Sequence, residues 1–251
     1  MTLENGILYF HQDWTDILNC LGLITFFQKQ YKQLYVINRP RSDDLFNFYC
    51  KFYKNIILIP EELVDTLINF DKIDYNFIGY GDCKRNDKYK DAFVKKRMSA
   101  TDLIKWNFCR DFYETYDIPY SVRTNMFEII RDPTLETAFY EKIIKEKPYI
   151  LSHTLGVKEK LITIKHTLPI YELGLTTSIF FDAIRVLEEA EEIHLIDSVW
   201  SLVCYLLDSK YKLFQHIQIT VYCLRGYDFF YDPPLPNWKI IKPENTIRGH
   251  I

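Results

Sequence analysis

Apolar residues arrive in short runs separated by stretches of helical periodicity. A strand-length run at 7–10 is followed over 16–31 by Ile17, Leu21, Ile24 and Phe27 on one helical face. Further runs at 33–37, 56–59 and 75–78 alternate with helical segments at 43–53 and 61–69. Strands alternating with helices predict a mostly parallel sheet covered on both faces. Residues 84–120 are charged and aromatic, with a helix predicted over 102–116 that stops before Ile118-Pro119. Residues 127–130 read as a strand. Residues 133–146 read as a helix capped by Asp132, with Pro133 at its first position and Glu136 in its first turn.

The same grammar restarts at Lys147-Pro148. Strands are predicted at 149–153, 161–164, 193–196 and 217–223, helices at 178–190 and 199–207, and a closing strand at 237–241. No repeat or low-complexity tract interrupts it. The expected fold class is α/β, with two domains spanning 1–145 and 146–251.

Composition narrows the function classes. A net charge of −3 opposes a general nucleic-acid binder, which needs a large positive field. Lys84 to Lys96 mixes both signs and reads as a solvated face. The six cysteines (Cys20, Cys50, Cys83, Cys109, Cys204, Cys223) form no CxxC pair and several sit in apolar helical patterns, which fits reduced core thiols rather than disulfides or zinc. No basic start leads into a long apolar stretch, and no run of about 18 apolar residues could span a bilayer. A cytoplasmic protein without an integral membrane segment is expected. Aromatic residues make up 16%, which fits either an aromatic core or stacking surfaces for sugars.

Candidate chemistry lies where strands end, because ligands of open α/β sheets bind beyond the carboxyl ends. The stretch Ile193-His194-Leu195-Ile196-Asp197-Ser198 leads from a strand through a small polar turn into an apolar helix. That geometry presents unpaired backbone N–H groups and a helix dipole to an anion. Ser152-His153 ends another strand of the same sheet, with Lys158 and Lys160 beyond it. His153 is either a phosphate donor or a satisfied structural residue. Thr176, Thr177 and Ser178 either cap the next helix or contact a nucleotide. In the first half, His11-Gln12-Asp13-Trp14-Thr15-Asp16 follows the first strand, and Arg39 and Arg41 follow the second. Asp13 and Asp16 are either capping acids or general bases, and the arginines either bind an anion or sit on the surface. The loop lacks the glycines of a dinucleotide fingerprint or a P-loop. Trp238 reads as packing across the domain interface.

Four segments together resemble a family of short GT-B-like glycosyltransferases of large DNA viruses and bacterial surface-polysaccharide clusters. They are Tyr9 to Asp16 with Asn19 to Leu23; Phe112-Tyr113 with Ile118-Pro119-Tyr120 and Arg123; Pro148 to His153; and Ala190 to Ser198 with Asn237 to Ile240. The resemblance implies two facing Rossmann-like domains, the first on the acceptor side and the second holding a nucleotide-sugar. Similarity to heptosyltransferase-type enzymes makes Asp16 the catalytic base, although Thr15 stands where their loop has glycine. Asp13, Trp14, Thr15 and Arg39 would then face the acceptor. Ser152, His153, Lys158, Ser178, Asp197 and Ser198 would hold the donor diphosphate.

The expected activity is sugar transfer from a nucleotide-sugar donor to a glycan acceptor, inverting and metal-independent, with no cofactor beyond the nucleotide-sugar co-substrate and no nucleic-acid partner. If the origin is viral, the compartment is the host cytoplasm. Two alternatives stay open: a nucleotide-sugar epimerase or hydrolase on the same fold, and a non-catalytic glycan- or nucleotide-binding module.

Overall fold

A computed structural model describes residues 3–9, 14–38, 47, 49–51, 53–67, 75–79, 110, 113, 117–154, 162–174, 180–224 and 235–242. The chain divides into two compact units, Met1–Glu128 and Ile129–Ile251. This division lies upstream of the expected 145/146 boundary. Arg131 explains the shift, since its guanidinium grips both Glu136 and Glu188 (2.5 and 2.6 Å at Nη2) and so ties residues 131–136 to the second unit. Tyr140 likewise meets Tyr149 edge-on at 6.3 Å.

The first unit holds β1 (Leu3–Tyr9), α1 (Trp14–Gln28), β2 (Tyr31–Asn38), β3 (Ile56–Pro60), α2 (Val64–Leu67), β4 (Tyr75–Gly79) and α3 (Val122–Asn125). Its four strands are all parallel, in the order β3-β2-β1-β4. The alternating pattern therefore folds as it reads, with Ile7, Leu8, Leu34, Val36 and Ile37 of the sheet buried, and Ile17, Leu21 and Ile24 of α1 buried with them. The 61–69 segment is a 3-10 turn, Glu61–Leu63, running into the short α2. The helices expected at 43–53 and 102–116 lie mostly outside the described residues.

Helix α1 is buried beyond a single stripe. Asn19 and Thr25 are fully buried with the apolar face, and Thr25 meets the hydroxyls of Tyr49 and Tyr53 at 2.9 and 3.0 Å. Burial is the main cause that pushes the Tyr49 phenol up, so the Tyr49 hydroxyl stays protonated. Gly22 is where α3 crosses α1. A Cβ there would lie 2.5 Å from the Val122 carbonyl oxygen and 2.8 Å from that of Arg123.

The second unit holds α4 (Pro133–Ile143), β5 (Ile150–His153), β6 (Ile170–Glu172), a 3-10 turn (Phe180–Ala183), α5 (Ile184–Glu188), β7 (Glu192–Ile196), α6 (Val199–Tyr211), β8 (Gln218–Tyr222) and β9 (Trp238–Ile241). All five strands are parallel, in the order β6-β5-β7-β8-β9. Asp132 caps α4 as expected, accepting from the N–H groups of Thr134 and Leu135 at 3.0 and 3.2 Å. The helix stops at Ile143 rather than 146.

Register makes the two faces of this sheet unlike. Leu151, Ile193, Leu195, Ile219, Val221 and Trp238 share a buried apolar face. Helix α6 covers it, with Tyr205 edge-on to Trp238 and the buried Asp208 carboxylate accepting the Trp238 indole N–H at 3.0 Å. Trp238 thus packs inside the second unit, where the sequence pointed to an interface. The opposite face carries Glu172, Ser152, His194, Thr220 and Lys239, one residue from each strand in spatial order. A parallel sheet is ordinarily apolar on both faces, so this polar row is the departure.

Two expected strands are absent. Residues 127–130 form none, because tyrosine hydroxyls take their amides: the Glu128 N–H donates to Tyr49 and the Ile129 N–H to Tyr211. Residues 162–164 are irregular, and the edge strand is instead β6, directly after Pro169. Proline is tolerated there because it precedes the strand's first residue, and its carbonyl still accepts the Ile150 N–H at 2.9 Å. The helix expected over 178–190 is the 3-10 turn followed by α5.

Four cysteines, Cys20, Cys50, Cys204 and Cys223, are buried and unbridged. Burial pushes the Cys50 thiol up to about 12, which keeps it protonated and unreactive. No helix among the described residues is long and apolar enough to cross a membrane. Replacing Gly22 by alanine should cost roughly 1–3 kcal/mol of unfolding free energy, because the colliding atoms are backbone and cannot rotate away. Denaturant unfolding of Gly22→Ala against the parent measures it, and an unchanged midpoint would show that the crossing tolerates a methyl group there.

Candidate functional site

Helix α6 begins directly beyond the carboxyl end of β7. Ser198 is its N-cap, with extended backbone at φ −139° and ψ −178°. The Ser201 hydroxyl accepts the Ser198 N–H at 3.0 Å and donates to the Ser198 carbonyl at 2.7 Å. Ser198's own hydroxyl faces the Ser201 N–H in the reciprocal half of this capping box. It makes no hydrogen bond of good geometry among the described residues, and it is shut off from solvent. A helix N-terminus leaves first-turn N–H groups and a partial positive charge, so this end attracts an anion.

Asp197 holds that turn in place. Its N–H donates to the Tyr222 carbonyl at 3.1 Å, and its carboxylate accepts the Leu224 N–H at 3.0 Å, binding the end of β7 to the end of β8. Asp197 is buried, so it shapes the turn from behind.

The end of β5 is differently committed. Ser152 donates its single hydroxyl proton to Glu172 at 2.6 Å, and the Thr154 N–H and hydroxyl reach the same carboxylate. A carboxylate of the chain itself therefore occupies the donors that the sequence reading assigned to a phosphate. The Ser152 hydroxyl is thus committed within the chain. His153 is buried and points to the other face of the sheet. Its Nδ1 lies 2.7 Å from the Leu173 carbonyl, which only accepts, so Nδ1 carries the proton.

Trp14, Thr15 and Asp16 are the first three residues of α1, following β1. The helix starts two residues before the sequence placed it, so Asp16 is its third residue rather than its first. Asp13, Arg39, Lys158 and Ser178 lie outside the described residues. Among the described residues no cluster of three or more His, Cys, Asp or Glu side chains is arranged to hold a metal ion.

Two further polar features belong to the second unit. Glu192, His194 and Tyr222 form a chain on the polar face, with His194 Nε2 3.1 Å from Glu192 and Nδ1 3.2 Å from the Tyr222 hydroxyl. Burial first, and then the Glu192 charge, push the Tyr222 phenol up, so it is no base. An open cavity of about 370 Å³ lined by Gln215, His216, Gln218, Asn237 and Lys239 sits where β8 and β9 begin, at the opposite end from the α6 N-terminus.

Sequence reasoning missed Glu172 and Trp200. Glu172 lies on a strand predicted elsewhere, and Trp200 reads as one more apolar helix residue. Glu172→Gln offers one acceptor oxygen to three donors and should lose about 1–3 kcal/mol of stability. In a double-mutant cycle, Ser152→Ala should cost less in the Glu172→Gln background than in the parent; equal costs would show the two side chains to be independent.

No protein-family profile and no curated protein sequence matches the chain. A solved structure, that of E. coli ADP-heptose LPS heptosyltransferase II, is similar to it with a TM-score of 0.58 at 10% identity, over 98% of this chain and 94% of that one. At such identity the likeness is one of fold. The chain is an α/β protein with two mostly parallel sheets, as the sequence pattern led one to expect, and its fold is GT-B-like, as the resemblance implied.

Proposed function

We propose that this protein transfers a sugar from a nucleotide-sugar donor to a glycan acceptor. The observation that carries the reading is the N-terminus of α6 at the end of β7, with the shielded Ser198 hydroxyl at its cap. The fold likeness to an enzyme named for ADP-heptose, itself a nucleotide-sugar, supports it.

In this reading the donor diphosphate lies against the first turn of α6. Backbone N–H groups and the helix dipole meet the charge that grows on the diphosphate as the sugar departs. Ser198 donates to a phosphate oxygen, while Asp197 keeps the turn in position. Lys158, Ser178 and His153 are further candidates for the donor side, and Ser152 is not, since Glu172 holds its proton. Asp16 removes the proton from the acceptor hydroxyl. Asp13, Trp14, Thr15 and Arg39 surround the acceptor. Attack opposite the leaving diphosphate inverts the anomeric centre, and this arrangement asks for no metal ion.

The commitment of the β5 donors to Glu172 and Leu173 favours one second reading, a module that binds a nucleotide or glycan without turning it over. Turnover of a nucleotide-sugar without any acceptor would instead indicate an epimerase or hydrolase.

A thermal-shift screen with nucleoside diphosphates and their sugars is the first test, because donor binding raises apparent stability by mass action. At least one nucleoside diphosphate should raise the midpoint, and a flat screen at millimolar ligand would sink the reading. Asp16→Asn should bind that ligand as the parent does and lose transfer by roughly a hundredfold or more. Ser198→Ala should weaken ligand binding by roughly tenfold, the worth of one charge-assisted hydrogen bond. Full transfer activity in Asp16→Asn would reassign the base.

A further inference from the structure

Trp200 is the second residue of α6, fully buried, and it holds the chain beyond a strand that is not its neighbour. The strand order places β5 between β6 and β7. The Trp200 indole nevertheless donates to the carbonyl of Gly174, just past β6, at 3.2 Å. The same ring meets Phe180 edge-on, with centroids 5.0 Å apart and planes at 85°. Gly174 and Phe180 bracket residues 175–179, the segment whose sequence contains Thr176, Thr177 and Ser178. One side chain in the first turn of α6 thus grips the chain on both sides of that segment.

The carbonyl of Leu173 is engaged as well, by Nδ1 of His153 at the end of β5. Two consecutive carbonyls beyond β6 therefore receive one ring N–H from β5 and one from α6. A free carbonyl oxygen at this rim would repel an anion, and pairing each with a ring N–H offsets the negative end of its dipole. The packing against Phe180 fixes the indole in the orientation that this pairing needs.

We infer that Trp200 is a positioning residue for the diphosphate site: its indole fixes the chain at Gly174 and at Phe180 and keeps the Gly174 carbonyl from facing the anion. The inference rests on the donor-site reading above and adds a residue that the reading did not contain.

The test uses the full chain with ADP, GDP and UDP as separate probes. In the parent, a nucleoside diphosphate that binds should slow amide hydrogen exchange in peptides spanning Gly174 to Phe180. Trp200→Phe keeps an aromatic ring against Phe180 but removes the N–H. It should retain a cooperative melt, bind the same nucleotide about tenfold more weakly, and lose the nucleotide-dependent slowing. If Trp200→Phe binds like the parent while Ser198→Ala binds more weakly, the donor site stands and the role of Trp200 falls. Should the variant fail to fold, the parent decides: nucleotide binding without slowed exchange over Gly174 to Phe180 overturns the inference. If no probe binds the parent, the donor-site reading and this inference fall together.

Discussion

Parallel pairing is the constraint from which the rest of this protein follows. A parallel strand cannot hand over to its neighbour through a tight turn, so each strand must be followed by a crossover and all strands end on one rim. In the second unit this forces the ends of β5, β6 and β7 together although 19 to 43 residues of chain separate them in pairs. Main-chain groups at that rim run out of sheet partners at the same place. The protein answers differently at each strand: Glu172 takes the donors of β5, ring N–H groups take the carbonyls beyond β6, and Asp197 ties the end of β7 to β8. Among the described residues of that rim, the first turn of α6 has helix N–H groups beside a shielded cap hydroxyl that no other group takes, which is why the proposed anion site is placed there and not at β5.

The aromatic abundance has a related explanation. Tyrosine hydroxyls repeatedly serve the main chain where regular pairing stops. Tyr49 accepts from Glu128, Tyr211 from Ile129, and Tyr171 from both Lys145 and Glu146, while Tyr149 donates to the Val186 carbonyl. Each buries a ring and satisfies an irregular amide or carbonyl with one side chain. Stacking of sugars is not needed to account for these residues. Gly22 allows a close backbone approach, against α3.

The two units differ in how much of them could be read from sequence. In the first unit, short continuous runs of apolar residues and helical stripes gave the right strands in the right class, since burial on both faces leaves a strong signal. The second unit hid its edge. Leu161 to Ile164 has the better strand composition, yet Ile170 to Glu172 pairs with β5, because Pro169 and the ladder beyond it fit that register. Edge strands are short and weakly patterned, so their choice belongs to long-range pairing.

Local rules were enough for several site features. The turn Asp197-Ser198 opening α6, the Asp132 cap and the placement of Asp16 just after β1 depend on neighbours a few residues apart, and the sequence by itself determined them. The partners of Ser152, His153 and Trp200 did not follow, since they come from residues about 20 to 26 positions away, brought in by strand order. Sequence named the side chains that could hold an anion. Only the tertiary structure decided which of them were already spent, because a hydroxyl has one proton to give and the register of β6 beside β5 puts the Glu172 carboxylate in its path.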